Sequence, residues 1–401
     1  MKAANPKSLI FKIALMSLMP LCGIAAMAST SIPLMAKTLT SVSLTQVELL
    51  ASIPNFGILL FVFLSPWMTK KFGDKKPAVI GILVVLITGV TPAFTDNYTL
   101  ILATRFLLGC GVGMFNSLAY SLIAIYYRGD ERTKLLGYAN AFSAVCSTIL
   151  TFMVGVLLNQ GWHASYWVYF FAIIPLILFG IFVPETPKEL LKDENETNEN
   201  KQKATLFMPV VRYSLYSFVI YACYMTSVYK ISTLVMEKGY GTASEVGYIG
   251  SIGSAIGFVG GLLFIYMFRL FKKNLLPICL IAICACFVGL WYSNSLILTG
   301  IIQVVSGIVF GWASTTLFNL VAQSSDAVSQ NLSSSVLLIG INLGCFVNPA
   351  VVNMIGKVIG TQNSAKLILT VGLILGACGV INLVLTMFAS KKEAQEDVAK
   401  I

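Results

Sequence analysis

Histidine and acid are scarce here: the chain has one histidine, His163, and 17 Asp and Glu among 401 residues. One imidazole in a polar turn cannot anchor a nucleophile–base pair, which argues against enzymatic chemistry. Clusters of His and Cys at metal-ligand spacing are missing, so neither a metal nor another cofactor is expected. The nine cysteines sit singly in apolar runs and read as small buried hydrophobes without a disulfide framework. No Gly-Lys-Ser/Thr loop occurs to cradle phosphates, so ATP is not the energy source. Polar stretches are almost absent too. Only residues 184–206 form a long one, and the net charge of +10 therefore has no soluble domain on which to build a nucleic-acid surface.

What fills the chain instead is apolar sequence. Twelve long stretches run at about 9–33, 46–68, 77–95, 98–126, 134–159, 163–183, 207–236, 244–270, 274–292, 295–324, 329–354 and 364–388. Hydrophobic residues make up 57% and charged residues 11%, with a mean hydropathy of +0.83. A helix needs roughly 20 apolar residues to cross hydrocarbon. In lipid each backbone N–H and C=O must find its partner within the segment, so these runs are helices. An all-α membrane protein with 12 transmembrane helices is the expectation. Ala26-Met27-Ala28 resembles a signal-peptidase site, but the first run is long for a signal sequence and eleven more follow. It reads as a retained helix.

Charge placement sets an expected orientation. Of the 27 Lys and Arg residues, 21 fall on one side if the N-terminus is cytoplasmic, including Lys70, Lys71, Lys75 and Lys76 in one loop. Lys37, Lys238, Lys357 and Lys366 fall outside that set, and Arg105 and Lys230 lie within helices. This positive-inside pattern puts both termini in the cytoplasm and the chain in the cytoplasmic membrane. An even number of crossings requires the same.

The polar stretch 184–206 reads as a flexible cytoplasmic linker. It separates an N-terminal six-helix bundle (1–183) from a C-terminal one with a short cytoplasmic tail (207–401). The halves echo each other. Thr45-Gln46-Val47-Glu48 and Thr242-Ala243-Ser244-Glu245, 197 residues apart, both fit a helix capping box. Lys75-Lys76 and Lys272-Lys273 share that offset, and Gly109-x-x-x-Gly113 recurs as Gly307-x-x-x-Gly311 one residue later. Two pseudo-symmetric six-helix bundles follow, a recurrent plan of transporters that rock one half against the other around a midplane site.

With these features the whole chain resembles the major facilitator superfamily. The family's loop between helices 2 and 3 reads roughly G-x-L-A-D-R-x-G-R-K. Here Lys71, Gly73 and Lys75 match, while Pro66 replaces the first glycine and Lys70 the acid; Asp74 stands on the other side of Gly73. Arg105-Phe-Leu-Leu-Gly109-Cys-Gly111 matches the family's R-x-x-x-G-x-G of helix 4. The turn Gly161-Trp162-His163 and the close at Pro184-Glu185-Thr186-Pro187 are also common in the family. Helix 5, from Gly137 to Gly155, lacks the Gly-Pro step of its antiporters. The resemblance implies a gating loop at Lys71, Gly73, Asp74 and Lys75. Its style is closest to the 12-helix drug and metabolite antiporters of bacteria.

Arg105 lies roughly 10 Å inside helix 4, where a guanidinium faces a polar cavity or an internal partner. Its alternatives are contact with a substrate anion or a proton relay, and a tie from helix 4 to neighbouring carbonyls. Lys230 either snorkels from helix 7 or lines the cavity as a second cation. Tyr221 and Tyr224, on the same helix, offer amphipathic lining. Ser29, Asn116, Tyr120, Asn140, Gln303, Trp312 and Asn319 are polar or amphipathic positions that either line the cavity or bond between helices. Asn55 and Asn342 belong with them. Gly253-x-x-x-Gly257-x-x-x-Gly261 is expected to let another helix approach closely, as are Gly109, Gly113, Gly307 and Gly311. Glu48 and Glu245 are read as caps, which leaves no acid deep in a span. The expected function is secondary transport of a small organic solute, first as an exporter with protons as a possible coupling ion. The alternatives are uptake or exchange of an organic anion, and a non-transporting sensor on the same fold. A monomer in the bilayer is expected, without nucleic acid.

Overall fold

A backbone amide in lipid has no water to bond, and the chain answers with helix almost throughout. The computed structural model describes residues 8–186, 208–325 and 330–398. Most of the 184–206 connector, and Asp326, lie outside these. Among the described residues the spans are α1 (Leu9–Thr38), α2 (Leu44–Phe72), α3 (Lys75–Phe94), α4 (Tyr98–Tyr126), α5 (Gly129–Leu158), α6 (Trp162–Phe182), α7 (Met208–Glu237), α8 (Ala243–Phe271), α9 (Leu275–Tyr292), α10 (Leu296–Gln323), α11 (Gln330–Val358) and α12 (Ser364–Val398). Eleven are long and apolar enough to cross a membrane as they stand. The other, α8, crosses as two pieces, Ala243–Gly257 and Val259–Phe271, set at 48°.

α1 is broken as well. Its α-helical ends flank a 3-10 helix over Ile24–Ser31, between Pro20 with Gly23 on one side and Pro33 on the other. Proline removes a backbone donor, and 3-10 runs this long are uncommon without outside support. Ala26-Met27-Ala28 lies in this segment, with Met27 and Ala28 buried.

Two hydrophobic cores form. One gathers α1–α6 around residues such as Phe115 and Tyr169; the other gathers α7–α12 around Phe287 and Leu280. Helix pairs repeat between the halves: α2 packs on α4 as α8 packs on α10, and α3 on α6 as α9 on α12. The halves meet along two equivalent seams, α5 with α8 and α2 with α11.

Within a membrane, helices associate through close packing, because lipid tails are as apolar as leucine. Glycine supplies the closeness between α2 and α4. A Cβ at Gly109 would collide with the Pro54 carbonyl, one at Gly113 would press on Phe61 and Ile58, and one at Gly57 would fall 2.5 Å from the Phe106 oxygen. The matching pair in the second half is built the other way round. Gly307 only approaches the Tyr224 hydroxyl at 3.7 Å and Gly311 faces open space. Here α8 provides the glycine: Gly260 receives the Ile308 side chain, and Trp312 of α10 donates its indole N–H to the Gly260 carbonyl at 2.8 Å.

The expected α8 seam is also displaced. Gly253 touches Val304 of α10, while Gly257 and Gly261 meet nothing. Close approach to α5 falls earlier, where a Cβ on Gly247 would sit 2.7 Å from the Gly155 Cα and one on Gly250 3.2 Å from Thr151. Positions 247, 250, 254, 257 and 261 share one face of a 3.6-residue helix. That face is jammed against α5 at its start and open farther along, past the bend. The two halves therefore touch at the end carrying the α1–α2 and α7–α8 loops and part toward the other.

At the closed end, Lys238 follows α7 and donates to the carbonyls of Trp291 and Ser293 at 2.7 and 2.6 Å, closing the end of α9. Burial lowers its amine from the ordinary lysine value.

Candidate functional site

The seam between the halves holds a buried ion pair. The capping box of α2 is Ser43 with Gln46: the Ser43 hydroxyl accepts from the Gln46 N–H at 3.3 Å, and the Gln46 carbonyl accepts from the Ser43 N–H at 2.8 Å. Thr45 and Glu48 do not form it. With the helix starting two residues earlier, Glu48 moves from the third to the fifth helical position and is buried. Lys230 of α7 donates to its Oε1 at 2.5 Å, with side chains only 5% and 3% exposed. A buried acid does therefore lie within a span, near its start, and Lys230 neither snorkels nor stands as a free cation. By contrast, the box expected on α8 forms as read, Thr242 with Glu245.

More contacts surround this pair. Asn55 of α2 donates to the Tyr229 hydroxyl at 3.4 Å, and Phe56 stacks on Phe346 of α11 with centroids 4.9 Å apart. Asn159 donates to the Tyr248 hydroxyl at 3.1 Å beside the Gly155–Gly247 contact. Every one of these joins one half to the other, from the closed end to the middle of the seam. Glu237, near Glu48, accepts from the Ser364 N–H and hydroxyl at 2.9 and 3.0 Å, seating the start of α12.

Arg105 lies away from this seam, wholly buried in the first bundle. Its NH2 group donates to the Ala25 carbonyl at 2.9 Å, NH1 to the Tyr169 hydroxyl at 2.8 Å and Nε to the Leu50 carbonyl at 3.4 Å. The rings of Tyr166 and Tyr169 flank it at 5.5 and 5.2 Å. Tyr169 in turn donates to the Ile24 carbonyl at 3.3 Å. Arginine and tyrosine thus satisfy carbonyls at the start of the 3-10 stretch of α1, which that tighter geometry bonds poorly. Of the two readings for Arg105, the geometry realises the tie to carbonyls.

The other face of the 3-10 stretch lines a cavity of about 280 Å³ between α1, α5, α7, α8 and α10. Gly23, Met27, Ser29 and Thr30 form its α1 wall, Thr151 and Ser254 flank the α5–α8 seam, and Gln303 of α10 completes it. Among the expected candidates, Ser29 and Gln303 line this cavity. Tyr224 stacks flat on Phe310 at 3.7 Å, and Tyr221 bonds Ser314 at 2.6 Å, so both fasten α7 to α10. Trp312 is engaged with Gly260 as above. Asn116 and Asn319 are half-buried, Tyr120 is 48% exposed, and Asn342 bonds the Leu338 carbonyl of its own helix. Asn348, overlooked in the sequence, donates to the Ala222 carbonyl at 2.5 Å and the Thr226 hydroxyl at 2.8 Å, pinning α11 to α7. An amide in an apolar run was its signal.

The loop between α2 and α3 lies at the opposite end. Gly73 has φ +80°, and a Cβ there would collide with Glu185, which follows α6. Asp74 is buried at the N-cap position before Lys75, and the Lys71 ammonium stands over the rings of Trp67 and Phe72.

Comparison with known proteins agrees with this architecture. The model of the Major Facilitator Superfamily matches residues 14–349, and the chain belongs to that family. It is accordingly a multi-pass membrane protein, with 11 or 12 spans among the described residues. A protein TsgA homolog of Buchnera aphidicola (subsp. Schizaphis graminum) is 24% identical over 177 residues, covering 44% of each chain, so the match spans less than half of that relative. Two solved structures share the fold nearly end to end. The nucleoside transporter NupG has a TM-score of 0.74 at 16% identity, covering 95% of this chain and 99% of that one. The xylose transporter XylE from E. coli, in an inward open conformation, has a TM-score of 0.73 at 15% identity, covering 93% and 94%.

Proposed function

We propose that the chain moves a small organic solute by alternating access, as a proton-coupled exporter. The halves 1–183 and 207–401, joined by the 184–206 linker, are the rocking bodies. Both termini are cytoplasmic, following the charge asymmetry. The parted end of the seam then faces the cytoplasm, where a drug-like or metabolite solute enters the cavity. The observation that carries this reading is the Glu48–Lys230 pair. It spans the two halves at the closed end, so opening that end must separate it. A buried pair parted without compensation costs several kcal/mol per ion. A proton on Glu48 cancels the attraction, which links proton binding to opening.

The organic-anion reading loses its footing. It rested on Arg105 and Lys230 as two unpaired cations, and these are engaged by carbonyls, a tyrosine and Glu48. The arginine motif of α4 and the tyrosines of α7 favour export, and direction is what a flux assay decides. In proteoliposomes, an imposed proton gradient should drive solute movement in wild type, and Glu48→Gln should lower it at least about tenfold, equivalent to roughly 1.4 kcal/mol. Flux that ignores the gradient, or a fully coupled Glu48→Gln variant, contradicts the coupling.

A further inference from the structure

The cavity beside the seam has a chemistry of its own, and what it would hold rests on the transport reading above. None of its lining side chains is charged. The nearest cation in sequence, Lys230, next to the lining residue Ile231, is bound to Glu48. A charged solute entering here would leave water without meeting a counter-charge, an exchange that strongly disfavours it.

Apart from the Gln303 amide, the polar side chains on the wall are hydroxyls, and three of them have their proton engaged within their own helix. Ser29 donates its hydroxyl proton to the Ala26 carbonyl at 2.8 Å, Thr30 to Met27 at 3.1 Å and Ser254 to Gly250 at 3.0 Å. A hydroxyl whose single proton is used this way presents lone pairs alone to a neighbour. The Gln303 carbonyl oxygen is shut off from water and has no donor. That is a costly state for a buried acceptor, and a solute N–H or O–H that draws the amide round relieves it. Between these acceptors, Met27 and Val246 provide apolar wall.

We infer that this cavity takes an uncharged amphiphile carrying hydroxyl or amide groups, held by the hydroxyls of α1, α5 and α8 with the Gln303 amide of α10 as its main polar contact. The discriminating property is zero charge together with groups that can hydrogen-bond. A wall without a charged side chain denies an ammonium or a carboxylate the partner it needs once it has left water.

The test uses the purified full-length protein and matched triplets in which one framework carries a hydroxyl, an ammonium or a carboxylate: tyrosol, tyramine and 4-hydroxyphenylacetate, then sorbitol, glucamine and gluconate. Binding is read by thermal shift and titration. A neutral member of at least one triplet should bind about tenfold or more tighter than its charged counterparts. Gln303→Leu should weaken that neutral binding about tenfold, and Ser254→Asp should shift preference toward the ammonium member. If Gln303→Leu does not fold, Ser254→Asp carries the test alone. Charged members binding as well as neutral ones, no neutral member binding, or unchanged preference in the variants overturns the inference. Parallel flux measurements separate the two claims. Neutral binding without transport leaves this inference standing and removes the transport reading, whereas transport restricted to charged solutes does the reverse.

Discussion

Removing the Arg105 guanidinium strands three acceptors at once: the Ala25 and Leu50 carbonyls and the Tyr169 hydroxyl. Each buried group left unpaired costs about 1–3 kcal/mol, so Arg105→Ala should lose about 3 kcal/mol or more, seen as a lower unfolding temperature together with lost flux. Arg105→Lys should rescue little, because an ammonium cannot reach three directions with a planar fork. Normal stability and flux in Arg105→Ala would contradict the positioning role for α1. At the seam, Glu48→Ala leaves Lys230 buried without its partner, a change that costs about 3–5 kcal/mol in other proteins. Exchanging the two charges, Glu48→Lys with Lys230→Glu, should recover much of that stability. If the exchange is no better than the single variants, the pair is not the unit described here. The misreading of Glu48 has a definite physical cause. Two Ser/Thr-x-x-Glu/Gln patterns overlap at this helix start, Ser43–Gln46 and Thr45–Glu48, and local pattern alone cannot choose between them. A shift of two residues decided whether a carboxylate counted as cap or core. Lys230 and Arg105 stand out in the sequence because charge in a span is costly, but their partners come from other helices and left no local sign.

At the level of single helices, α8 is where form and motion meet. Its glycine face is packed on α5 at Gly247 and Gly250 and open at Gly257 and Gly261. If the halves rock, the open end closes, and those two glycines become the new contact with α5. Gly257→Val and Gly261→Val should therefore leave the present state intact but hold the protein in it, cutting flux about tenfold or more while the unfolding temperature changes little. Gly247→Val should do the opposite and pry the closed end apart, exposing Tyr248 and Asn159 to labelling through substituted cysteines. Equal tolerance of valine at all three positions would remove α8 as a moving seam. The helix count, approximate span limits and glycine-rich character of α8 were all legible in the sequence. Which glycine faces which helix was not, because a small residue permits approach without naming its partner. The exchange of roles between α2–α4 and α8–α10, with the glycine on α4 in one half and on α8 in the other, shows this directly. The broken course of α1 was signalled by Pro20, Gly23 and Pro33, yet its support by Arg105 and Tyr169 is tertiary.

The molecule as a whole is two cores joined along a pair of seams, touching at one end and parted at the other. Its energetics place the change between states at that contact, since each bundle keeps its own packing and the ion pair, the Asn55–Tyr229 bond, the Phe56–Phe346 stack and the Gly155–Gly247 approach all cross between halves. Rigid halves around a bistable interface are how small local events become large rearrangements. The most direct measurement is a pair of spin-label distances between α5 and α8 in a lipid nanodisc. One pair sits at the closed end, Asn159→Cys with Tyr248→Cys; the other sits past the bend, Phe142→Cys with Leu262→Cys. Both are made in a background with the nine native cysteines replaced. Acidification, and separately Glu48→Gln, should lengthen the first distance and shorten the second. Distances that stay fixed under both conditions, or that grow together, would contradict a rocking exchange governed by the Glu48–Lys230 pair.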